Sequence, residues 1–91
     1  MSRSGKAIAL SEDHKPESEV EKTRIAKAGG TISNGRVNGG LNLSRSMGDF
    51  FYKRDKSLAY DEQLIISKPD VTVVDRSKED EFIIMGCDGI W

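Results

Sequence analysis

The chain has 91 residues, room for one small domain, and 36% of them are hydrophobic. Its 14 basic and 15 acidic side chains leave a formal net charge of −1, which excludes the broad basic field of a nucleic-acid binder. Cys87 is the single cysteine, so no internal disulfide forms, and no apolar run approaches the roughly 20 residues of a membrane-spanning helix.

Lys6 to Leu10 is a short apolar run between Gly5 and Ser11 and predicts a strand. The leading Met1–Lys6 lacks the apolar stretch of a secretory leader. With an unpaired cysteine, this predicts an intracellular protein, cytoplasmic or nuclear. Pro16 keeps Lys15 out of helical geometry. Ser18 and Glu21 then have the spacing of a capping box, Glu17, Glu19 and Glu21 favour a helix start, and Gly29-Gly30 supply a left-handed stop. A helix over 18–28 follows, with a thin apolar face of Val20, Ile25, Ala26 and Ala28.

Thr31-Ile32-Ser33 and Arg36-Val37-Asn38 flank Asn34-Gly35, the strongest short hairpin signal. Leu41 and Leu43 alternate with polar residues and predict a half-buried strand. Residues 50–63 are aromatic and charged without a period, which predicts loop with some short helix. Val71 to Val74 reads as a strand. After the charged turn Arg76–Asp80, Glu81 to Cys87 reads as a strand covered on both faces. The abrupt apolar beginning, and an end at Met85-Gly86-Cys87-Asp88-Gly89-Ile90-Trp91 where the indole wants burial, predict an interior segment, 1–91, of a single larger domain.

Candidate chemistry is sparse. Asp88-Gly89 follows the last strand, where a carboxylate on a rigid element suits a hard divalent cation and Gly89 allows close backbone approach. On its own, an Asp-Gly after a strand is more often a turn. Asp49, after Gly48, supports a site or caps a turn, and the structural role is favoured. Arg36 and Arg45 have the fork that meets phosphate bidentately, although a lone arginine on a strand is usually solvated or paired. His14 reads as a loop histidine and Cys87 as an inert buried thiol. No residue stands out as a catalytic acid, base or nucleophile, and no feature points to an oligomer.

Four ordered motifs carry a resemblance. They are Asp13-His14-Lys15-Pro16, Ala28-Gly29-Gly30, the run Arg36-Val37-Asn38-Gly39-Gly40-Leu41-Asn42-Leu43-Ser44-Arg45-Ser46-Met47-Gly48-Asp49, and Cys87-Asp88-Gly89-Ile90-Trp91. In this order and spacing the chain resembles the central part of a PP2C-type (PPM) metal-dependent serine/threonine phosphatase. The resemblance implies an α+β fold, a partial PP2C-like sandwich of antiparallel sheets flanked by helices, incomplete at both ends. It implies two Mn²⁺ or Mg²⁺ ions per complete domain, which activate a water that attacks phosphoserine or phosphothreonine of protein substrates. Asp88 matches a metal ligand, and Asp49 and Gly89 support that site. Residues 15–42 match the flap beside it, where Arg36 is placed to touch substrate. The family's other metal carboxylates and its phosphate-binding arginine have no match in these residues. No activity is therefore expected of the 91 residues alone. The alternative reading is a non-catalytic interaction protein or a truncated gene product.

Overall fold

The computed structural model describes residues 1–90, so the expectation that Trp91 is buried lies outside the described residues. In chain order the elements are β1 (Ser2–Arg3), β2 (Lys6–Ala7), α1 (Glu19–Lys27), β3 (Ile32–Ser33), β4 (Arg36–Val37), a 3₁₀ turn (Phe50–Tyr52) and β5 (Asp80–Phe82). They belong to two compact units, Met1–Glu12 with the stretch from Asp70 onward, and Asp13–Pro69.

The first unit holds an antiparallel sheet in the order β2-β1-β5. Ser4 and Gly5, at φ +49° and +69°, make the two-residue turn whose twist matches a hairpin, and they set Ser2 opposite Ala7. On the other side of β1, Ser2 faces Phe82 and Arg3 faces Asp80, so Glu81 is left as a bulge. Ser2 Oγ donates to the Glu81 carboxylate, and the Gly5 amide donates to the same group at 3.3 Å. Arg3 Nε donates to Asp80 Oδ1 at 2.6 Å and Nη2 to the Asp75 carbonyl at 3.0 Å. Asp80 Oδ2 accepts the Ser77 amide, which closes the charged turn foreseen at 76–80.

Three strand expectations are corrected here. Lys6–Leu10 is a strand only at Lys6–Ala7, Val71–Val74 is not a strand, and Glu81–Cys87 shortens to Asp80–Phe82. Ile84 is 64% exposed, Met85 is 90% exposed, and the Cys87 thiol is exposed rather than buried. An apolar run becomes a doubly covered strand only where neighbours flank it and layers lie on both faces. Among the described residues, β5 has one neighbouring strand, β1.

The second unit builds the hydrophobic core. Ser18 stands at the helix N-cap with φ −64° and ψ 143°, but its hydroxyl donates to the Lys15 carbonyl at 2.8 Å and caps nothing. The expected capping box does not form, because Glu21 is drawn inward by arginines. The helix end is as anticipated. The Gly29 amide bonds Ala26 O and the Gly30 amide bonds Ile25 O, with Gly29 at φ +77°, the paired closure of a Schellman motif. Asn34-Gly35 turns β3 into β4, with Ile32 opposite Val37. Ile25, Val37 and Ile65 are fully buried and pack together, with Ile32, Leu41, Tyr52 and Leu64 around them. Each such side chain contributes about 1.5–3 kcal/mol relative to exposure. Leu41 bridges to Val37 after a second tight turn at Asn38-Gly39. Leu43 is 44% exposed and outside any strand, which corrects the expected Leu41–Leu43 element.

Candidate functional site

Arg36 opens β4, directly after the Asn34-Gly35 turn that fixes its register. Its Nη1 donates to the Gly40 carbonyl at 2.6 Å, which braces the side chain along the second turn while the residue stays exposed. Val37 beside it is fully buried, so the strand is anchored by one face and offers the arginine on the other. Asp49 follows Gly48 (φ +72°) in left-handed geometry of its own, at φ +49°. It stands at the N-cap of the 3₁₀ turn, and its carbonyl, not its carboxylate, accepts the Tyr52 amide at 3.0 Å. That is the role of a turn residue.

Asp88 and Gly89 lie in the other unit, exposed, in a turn that the Ile90 amide closes on the Cys87 carbonyl at 2.8 Å. Nothing stands within 4 Å of where a Cβ on Gly89 would be. Among the described residues, no group of three or more His, Cys, Asp or Glu side chains is placed to hold a metal ion. A Mn²⁺ or Mg²⁺ pair needs several carboxylates and waters. The donor set here is the single Asp88 side chain, which does not by itself fit a metal pair.

The second unit contains a constellation that the spacing of the sequence did not announce. The Glu21 carboxylate is 1% exposed. Its Oε1 accepts Arg45 Nε at 3.0 Å and Nη2 at 2.5 Å, and its Oε2 accepts Arg24 Nη1 at 2.5 Å. Arg24 also donates to the carbonyls of Gln63 (3.2 Å) and Ser44 (2.8 Å), and Arg45 donates to that of Lys68 (3.1 Å). The buried Ser44 hydroxyl donates to the His14 carbonyl at 2.7 Å. Burial pushes the Glu21 carboxyl up, but hydrogen bonds from Arg45 and Arg24 outweigh it and hold the group below its ordinary range. The site therefore ties α1 to residues 44–45 and 63–68. Glu21-x-x-Arg24, one turn apart on a helix, was the available signal. His14 is a half-buried loop residue, in line with the sequence reading, and Arg45 is paired.

The family model of Protein phosphatase 2C matches residues 1–91. The chain belongs to the protein phosphatase 2C family. It is 57% identical over 91 residues to "Protein phosphatase ppm-1.G" of Caenorhabditis elegans, covering 100% of this chain and 18% of that protein. It is 54% identical over 92 residues to "Protein phosphatase 1G" of Homo sapiens, covering 100% of this chain and 17% of that one. A solved structure, a phosphatase from Toxoplasma gondii, superposes with a TM-score of 0.66 at 45% identity, over 67% of this chain and 19% of the other. The PP2C chain thus spans less than a fifth of each of these relatives, and its antiparallel strands and helix are part of the PP2C α+β fold.

Proposed function

We propose that this PP2C segment serves a protein serine/threonine phosphatase by presenting Arg36 to phosphoprotein substrate and Asp88 to a divalent-metal centre completed by residues outside these 91. The end-to-end family match carries the reading. The hairpin supports it, because β4 anchors Val37 in the core and leaves the braced Arg36 fork exposed for a phosphate. A divalent ion held with residues outside these 91 would supply an activated water as the nucleophile. Asp88 would be one ligand, and Gly89 leaves the backbone beside it unobstructed. The 91 residues alone neither hold the metal nor turn over substrate.

The test has two arms. The isolated chain is titrated with Mn²⁺ by calorimetry and assayed on a phosphoserine peptide, with neither binding nor turnover expected. Stoichiometric micromolar binding would contradict this. In the second arm, these residues replace the matching stretch of Caenorhabditis elegans ppm-1.G. The chimera is expected to hydrolyse the peptide, and Asp88→Ala to lower kcat by about a hundredfold or more, as loss of a metal ligand does. Arg36→Ala is expected to raise KM. An Asp88→Ala chimera with unchanged activity would remove the ligand assignment.

A further inference from the structure

The second unit carries a charged hollow that neither the phosphate chemistry nor the core uses. It is an open depression of 460 Å³ edged by Lys53, Arg54 and Lys56, with Leu58 and Tyr60 among its walls. Three cations and one carboxylate, Asp55, line it, and that carboxylate is engaged through one oxygen in its own loop. Asp55 Oδ1 accepts the Ser57 amide at 2.9 Å and the Ser57 hydroxyl at 2.6 Å. Buried Gln63 fixes the same loop from below, accepting the Asp55 amide at 3.1 Å and donating to the Asp55 carbonyl at 2.7 Å. The rim is therefore a built turn rather than a flexible basic tail.

Lys53 Nζ is spent on the Ser46 carbonyl at 2.5 Å. Arg54 and Lys56 have no ion-pair partner among the described residues. The Arg54 guanidinium lies 4.2 Å from the centroid of Phe51, a ring 65% exposed. That stacking orients the guanidinium while its hydrogen-bond donors remain open. An oriented guanidinium, an adjacent ammonium and exposed aromatic rings suit a ligand of alternating carboxylates and small side chains.

We propose that this hollow docks a short acidic segment of a partner protein. The patch is a few residues wide and the chain as a whole carries a net charge of −1, so its reach matches a peptide rather than a nucleic-acid backbone. The docking does not depend on the phosphatase reading, and each can fail without the other.

The probe is a fluorescein-labelled peptide of alternating Glu and Ser, titrated with the 91-residue chain by anisotropy in about 50 mM salt, where surface charge is weakly screened. The expected dissociation constant is on the order of 100 μM, weakening steeply with added salt. Arg54→Glu with Lys56→Glu is expected to weaken binding about tenfold or more, while the same charge change at Lys22 and Lys78 has a much smaller effect. Equal losses in the two pairs would show non-specific attraction and overturn the site. So would absence of wild-type binding at roughly 1 mM chain, or tighter binding of an oligothymidylate of equal charge. If the reversed pair loses its helical circular dichroism, Arg54→Gln with Lys56→Gln is read by the same criteria.

Discussion

Glu21 illustrates how one side chain decides local structure. Its spacing from Ser18 offers a capping interaction worth about 1 kcal/mol. Its position one turn before Arg24 and across from Arg45 offers three charge-assisted bonds in a water-poor setting, each of roughly twice the strength of a neutral one. The arginines win, and the N-cap is left to the Lys15 carbonyl and solvent. Removing the charge takes the shared carboxylate from two guanidiniums that are only 11% and 14% exposed. Glu21→Gln is therefore expected to cost about 3 kcal/mol in urea unfolding, the scale of a broken buried pair. The folded-state pKa is depressed, so the stabilisation is complete above the unfolded glutamate value of about 4.3 and is lost as pH falls through the lower folded value. The urea midpoint of the wild type should fall through that window. The variant should keep only the shallower slope due to Asp80, Asp61 and Asp55, which Arg3, Lys68 and the Ser57 hydrogen bonds hold low. Identical acid slopes in the two proteins would show that Glu21 is not the group responsible.

At the scale of the element, the turns do the organising. The β3-β4 hairpin rests on Gly35 at φ +71°, and a Cβ there would stand 2.8 Å from Glu17 Oε1. Gly35→Ala meets both backbone strain and this carboxylate. It is expected to lower stability by about 1–2 kcal/mol, against a few tenths for Ala at an exposed site without these constraints. Thermal melts of Gly35→Ala beside Ser33→Ala, an exposed strand position, would check the difference. These turns were legible in the sequence because their causes are local. Asn34-Gly35 and Gly29-Gly30 need only their own φ angles, and the structure has them where the sequence placed them. The Ser4-Gly5 hairpin has the same positive φ angles but not the Asn-Gly dipeptide, so its turn is not legible in the sequence although its strands are as short as β3 and β4. Leu43 and the run after Phe82 depart from the sequence expectation because their cause is not local. Their apolar character is visible locally, but burial depends on what packs against them. The same holds for Asp88, whose motif stands out in the family pattern although its surroundings in the chain are an exposed turn.

At the scale of the whole molecule, the apolar surface is unevenly spent. The core of the second unit buries Ile25, Val37 and Ile65, whereas in the first unit Val73 is 88% exposed, Ile83 62% and Ile84 64%. The strand preceding Ile83, β5, is the edge of its sheet among the described residues. An open edge continued by an exposed apolar run is a template for another strand, and the run's attraction is hydrophobic, so it is not weakened by salt as the Arg54–Lys56 hollow is. The isolated chain is therefore expected to self-associate as its concentration rises, and to do so equally or more strongly at high salt. Ile84→Lys places a charge in the apolar run that follows β5 without touching the buried cluster and should shift light-scattering masses toward 10.1 kDa. Arg54→Glu should leave the association unchanged. A wild-type chain that stays monomeric at high concentration and high salt would mean that the edge does not recruit strands, and a mass that falls with salt would assign the association to charge.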